Sequence, residues 1–164
     1  MIRYKIKTVI QAAFAALCFG SCAPQNSQMK HMPSFHSALD AHLKAIEDRN
    51  IEKFEPTVAE NVSTIDPNGI KTDGKKEFLD FHKKWFAQSD WERKDNILTT
   101  SVTDSIGYTL IQYEYIQKDT SGSILFRFHA YQILIFENLQ AGWQLVYDQN
   151  TGIQEFNKNI DNQN

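Results

Sequence analysis

From Trp91 to Gln154 the chain is a nearly continuous run of β-branched and aromatic residues, broken by turn signals at even intervals. The breaks are Asp104-Ser105, Asp119-Thr120-Ser121-Gly122 and the stretch from Asn138 to Gly142, all rich in residues that favour turns. They divide the run into four long strands, about 91–104, 106–118, 123–138 and 142–154. Connections this short leave neighbouring strands antiparallel.

The upstream half supplies the layer that covers such a sheet. Ser34 is a good helix N-cap, and Phe35, Leu39, Leu43 and Ile46 then fall on one helical face. Asn50 caps a second short helix through Phe54, stopped by Pro56, which cannot donate a backbone hydrogen bond. Val58, Val62 and Ile65 suit a short strand, ended by the strong turn signal Asp66-Pro67-Asn68-Gly69. Thr72-Asp73-Gly74 leads into a third helix, where Phe78, Leu79, His82, Trp85 and Phe86 recur at helical spacing until about Gln88. Helices followed by a strand meander predict an α+β fold, a curved antiparallel sheet with the N-terminal helices on one face. Such a sheet cups a cavity between its concave face and the helices.

The N-terminal segment carries an address. Met1 to Lys7 is basic, and Thr8 to Phe19 is an apolar stretch of about twelve residues, too short for a helix to cross a bilayer core of about 30 Å. Phe19-Gly20-Ser21-Cys22, followed by polar residues, resembles the lipobox of bacterial lipoproteins, with Phe19 where Leu is usual. The resemblance implies a diacylglyceryl group on Cys22, cleavage after Ser21, and a place in the bacterial cell envelope, on the periplasmic or surface side, with the lipid as sole membrane anchor. A plain signal peptide or an N-terminal helix of the fold are the alternatives. The expected organisation is a signal peptide over 1–21, a polar tether over 22–32, the domain over 33–156 and a frayed polar tail over 157–164.

Both cysteines, Cys18 and Cys22, precede the domain, so it has neither a disulfide framework nor a thiolate zinc site. The five histidines contain no His-x-x-x-His pair, and no metal or other cofactor is expected. Arg3, Lys5 and Lys7 are three of the 17 basic residues; without them 14 face 20 acidic groups, a balance unsuited to a nucleic-acid surface. The lysines at 71, 75, 76, 83 and 84 are interrupted by Asp73, Glu77 and Asp80 and read as a solvated face.

The order of helix, short helix, strand, Pro-Asn-Gly turn, Gly74-initiated helix and four strands closing in Gly142-Trp143-Gln144-Leu145-Val146-Tyr147-Asp148 resembles the nuclear transport factor 2-like superfamily, within it the SnoaL-like group. The similarity spans about residues 35–155. It implies a cone-shaped roll with a pocket, in a superfamily that includes ketosteroid isomerases, polyketide cyclases, dehydratases and pure binding or dimerisation modules.

Strand alternation supplies the candidate site residues. Along the third long strand, Ile124, Phe126, Phe128, Ala130, Gln132, Leu134 and Phe136 share one face, and Leu125, Arg127, His129, Tyr131, Ile133 and Ile135 the other. Both faces are largely apolar, so both require covering, one by helices and one by a second subunit in a homodimer. If the second face is concave, His129 and Tyr131 enter the cavity with Arg127, as proton carrier and oxyanion donor; otherwise His129 is a rim or interface residue. Asp148 is a second candidate general base, sharing a strand face with Val146 and Asn150. Trp85, Trp91, Tyr113 and Tyr115 are either core or an aromatic wall for a flat ligand, and Asp66 has a turn to cap. The leading expectation is a module that binds a small, fairly apolar molecule or an envelope protein. The alternative is an isomerase, cyclase or dehydratase with Asp148 or His129 as base and Tyr131 or Tyr115 as oxyanion donor.

Overall fold

The computed structural model describes residues 34–153. The expected signal peptide, Cys22, the tether and the polar tail lie outside the described residues. Helix α1 spans Phe35–Glu47 and opens with Ser34 Oγ accepting the Ser37 amide at 3.2 Å. Its buried stripe is Phe35, Ala38, Leu39, His42, Ala45 and Ile46. Arg49 turns the chain in a left-handed conformation, φ 51°. The short α2, Ile51–Phe54, is capped by Asn50 Oδ1 accepting the Lys53 amide at 2.9 Å.

Strand β1 covers Val58–Ile65 and is followed by a turn in which Asp66 Oδ1 accepts the amides of Asn68 and Ile70, at 2.8 and 2.9 Å. The chain then forms β2, Lys71–Asp73, passes through Gly74 at φ 92° and enters α3, Lys75–Phe86. The four long strands follow as β3 Trp91–Val102, β4 Ile106–Lys118, β5 Ile124–Leu139 and β6 Gly142–Gly152. All form one sheet in the order β2-β1-β6-β5-β4-β3.

The sheet corrects two expectations. It is mixed, not wholly antiparallel: β3 to β6 form an antiparallel meander, but β1 lies parallel to β6. The helix α3 and the meander carry the chain from one to the other, a connection long enough to permit parallel pairing. The second correction is β2, a three-residue edge strand paired with the end of β1, in a stretch read as the approach to α3.

The helices pack on the inner face of the sheet, and Phe54, Val58, Val62, Ile111, Leu134, Phe136 and Leu145 form the buried centre. At one end the Phe35 ring lies edge-on to Phe136 and Trp143 and directly over Gly107, where a Cβ would come within 2.4 Å of it. A bulge where β5 meets β6 pairs Phe136 with Leu145 but Ile135 with Tyr147. Leu145, not Val146, therefore precedes Asp148 and Asn150 in the inward row.

Candidate functional site

Between α1, α3 and the inner sheet face lies a cavity of about 350 Å³. Its lining extends to Asp66 and Pro67 in the turn after β1 and to Tyr113 and Tyr115 of β4. Phe81 and Trp85 from α3, Tyr115 from β4 and Phe128 from β5 form its apolar walls. Strand alternation places Arg93, Tyr113, Gln132, Asp148 and Asn150 side by side on the inner face, one or two per strand, where they form its polar wall.

These five side chains form one connected network. Asp148 Oδ1 accepts Gln132 Nε2 at 2.8 Å and Asn150 Nδ2 at 3.0 Å. Asn150 Oδ1 accepts the Tyr113 hydroxyl at 3.1 Å, and Gln132 Oε1 accepts Arg93 Nη2 at 2.5 Å. The Arg93 guanidinium lies over the Tyr113 ring, 4.0 Å from its centroid, and Arg93 Nε donates to Asp95 at 2.7 Å. Asp148 Oδ2 has no partner among the described residues. Burial drives the Asp148 carboxyl up to about 6, against the opposing hydrogen bond from Gln132, the Arg93 charge and the bond from Asn150. Burial likewise pushes the Tyr113 phenol up to about 12.

Two histidines complete the lining, and their tautomers follow from their partners. Thr57 Oγ1 gives its proton to the Phe54 carbonyl at 2.6 Å, so it accepts from His42 Nδ1 at 2.7 Å. His82 Nδ1 donates to the Phe78 carbonyl at 2.8 Å. Each ring therefore has an unprotonated Nε2, for which the described residues offer no partner. Both rings flank Phe54, at 4.7 and 4.5 Å between centroids. Burial holds both neutral, lowering His42 to about 3 and His82 to about 4.

The structure separates the candidate residues. Asp148, Asn150, Trp85 and Tyr115 line the cavity. Trp91 is buried behind it, stacked on Trp85 at 4.4 Å, donating Nε1 to the Trp85 carbonyl and lying under the Arg49 guanidinium. His129, Tyr131 and Arg127 do not reach it. Their row of β5 is the outer one, and the concave row holds Phe128, Ala130, Gln132 and Leu134. On the outer face Arg127 pairs with Glu114 at 3.2 Å, and Tyr131 is 41% exposed. His129 and Asp148 thus cannot meet one reacting atom, since the sheet lies between them.

Among the lining residues that escaped the sequence reading are His42, His82, Arg93 and Gln132. Each had a signal. The histidines occupy the apolar stripes of amphipathic helices, Gln132 interrupts the apolar row Ala130-x-Gln132-x-Leu134, and Arg93 and Asp95 share one strand face. No group of three His, Cys, Asp or Glu side chains that could hold a metal occurs among the described residues.

Solved structures share this architecture at low sequence identity. A candidate dehydratase of the NTF2-like family from Streptomyces avermitilis superposes with TM-score 0.60 at 16% identity, over 72% of this chain and 92% of its own. A ketosteroid isomerase-like protein from Erwinia carotovora atroseptica gives 0.60 at 14%, over 73% and 94%. The CaMKII hub of S. rosetta gives 0.55 at 16%, over 71% and 92%. No protein-family model matches the chain, and no curated protein matches it in sequence. The fold is the NTF2-like, cystatin-like α+β roll.

Proposed function

We propose that this domain binds a small, largely apolar molecule in the inner cavity, and that it does so in the bacterial cell envelope as a homodimer anchored through a lipid on Cys22. The observation that carries the binding role is the cavity itself: an aromatic enclosure with a single polar wall of fixed hydrogen-bond geometry, the usual make-up of a small-molecule site. The anchor is supported by the Gly20-Ser21-Cys22 sequence behind a basic and then apolar leader. The homodimer is supported by the outer sheet face, where Tyr108, Tyr131 and Ile133 stand exposed beside the half-buried Leu110 and Ile135. A second copy is the occupant proposed for that face, and a hub domain with the same fold supports the choice.

Native mass spectrometry of the protein, purified gently from its own host, tests the reading. A dimer mass carrying a few hundred additional daltons supports it. A mass without bound ligand transfers the role to a protein partner. Cys22→Ala should move the protein from the membrane to the soluble fraction, and retention at the membrane would remove the anchor from the proposal.

A second reading, proton transfer at the same site, has one observation behind it. Asp148 is buried, retains an oxygen without a partner and has a carboxyl pKa raised toward neutrality, as a general base requires. Among the hydroxyl donors considered for an oxyanion, Tyr115 borders the cavity and Tyr131 does not. Turnover of any molecule released from the native protein, lost in Asp148→Asn, would establish this reading over simple binding.

A further inference from the structure

The charges around the cavity do not balance. Arg93 is the one cation among its lining residues, and its guanidinium is already held by Asp95, Gln132 and the Tyr113 ring. Two carboxylates line the same space, Asp148 on β6 and Asp66 at the turn after β1. Asp66 Oδ1 is committed to the amides of Asn68 and Ile70. Among the described residues, Asp148 receives only neutral amide donors, on Oδ1 alone, and forms no ion pair. The nearby histidines do not supply the missing charge, because burial disfavours a second proton on either ring, and each is neutral with Nδ1–H tied to an oxygen and Nε2 bare.

A buried carboxylate facing a cavity without a cation in contact is an expensive arrangement, and the cost is relieved when a positive group arrives. The ring nitrogens of His42 and His82 add acceptors but no donors. The opposite walls are Phe81, Trp85, Tyr115 and Phe128, aromatic faces that attract a cation and cover hydrocarbon. Resting on the binding role given above, we infer that the cavity selects a small organic ammonium: its charged N–H group donates to Asp148 Oδ2, and its apolar body lies against the aromatic walls. A neutral molecule of the same shape would leave the carboxylate's charge unpaired, and an anionic one would be repelled.

An isosteric series of indole compounds tests this on the full chain: tryptamine, tryptophol and indole-3-acetate, titrated at neutral pH by isothermal calorimetry. One charge-assisted hydrogen bond in a desolvated site corresponds to a preference of about tenfold or more. Tryptamine should therefore bind at least about tenfold tighter than tryptophol, with indole-3-acetate weakest. In Asp148→Asn the preference of tryptamine over tryptophol should disappear, with the amide still able to accept from Gln132 and Asn150. Tryptophol binding as tightly as tryptamine overturns the inference while leaving the apolar-pocket role standing. A preference undiminished in folded Asp148→Asn also overturns it. Failure of all three compounds to bind overturns both. If the variant does not fold, the ranking on the unaltered chain decides alone.

Discussion

Gln132 Nε2 donates to Asp148 Oδ1 across 2.8 Å, while the other end of the same amide receives Arg93. Among the described residues, one neutral side chain thus stands between the lining cation and the buried lining carboxylate and gives each a hydrogen bond. Replacing it with an apolar residue of similar size would leave each of the two charged groups one hydrogen bond short. Gln132→Leu should reduce unfolding stability by about 2–6 kcal/mol, read from urea denaturation, because each of the two abandoned buried partners costs about 1–3 kcal/mol. A change within the error of such a measurement would show that water replaces the amide.

Acid should destabilise the domain, and two opposing contributions set by how much. His42 and His82 fall from an ordinary 6.5 to about 3 and 4 in the folded state, so the unfolded chain binds more protons below pH 6.5. Their contribution is fully present above 6.5 and is lost as pH falls toward their folded values. Asp148 acts in the other direction, since its folded value is raised from 3.8 to about 6. Its contribution favours the folded state at low pH and is lost as pH rises through 6. Two groups outweigh one, and stability should drop between pH 6.5 and 4. Asp148→Asn removes the opposing contribution and should steepen the drop; His82→Asn should flatten it. Thermal melts across that window read both slopes.

His129→Ala should leave ligand binding in the cavity unchanged, because its ring belongs to the outer row of β5. Tyr113→Phe should weaken binding several-fold, since it removes the hydroxyl that holds Asn150 in place. Calorimetry with one ligand on both variants makes the comparison. Equal losses would mean that the two faces communicate.

Tyr131→Glu places a charge in the middle of the exposed apolar face without touching the cavity. For a homodimer formed through that face, sedimentation should show the variant as a monomer with unaltered secondary structure. An unchanged dimer would move the interface elsewhere.

Gly107→Ala should cost about 1–3 kcal/mol by overpacking, because the new Cβ would lie 2.4 Å from the Phe35 ring. Phe35→Leu in the same chain should recover part of that loss. Additive losses, measured by denaturant unfolding, would mean the clash is relieved by backbone movement instead.

Local signals in the sequence located most of the elements. The turn residues at 104–105, 119–122 and 138–142 bracket β3 to β6 closely, and the caps Ser34 and Asn50 start their helices as expected. What was not legible depends on partners distant in the chain. The parallel pairing of β1 with β6 leaves no periodicity of its own, and Lys71–Asp73 forms β2 only because β1 offers an edge. The bulge beside Leu145 breaks the two-residue period and misplaces Val146. The cavity residues were half visible. Asp148 and Asn150 fell on the right strand face, but β5 is apolar on both faces, so nothing local told the row of His129 from that of Gln132. His42 and His82 were hidden by occupying positions that a helix ordinarily gives to leucine.

Phe35 and the cavity lie at different points along one strand. Phe35 sits over Gly107, at the start of β4, whereas Tyr113 and Tyr115 border the cavity farther along the same strand. The stretch from Gly107 to Tyr113 spans about 20 Å at a rise of about 3.4 Å per residue. Crowding at Gly107 is therefore felt at the end of the strand away from the cavity tyrosines, and stability can be altered there with the lining left in place.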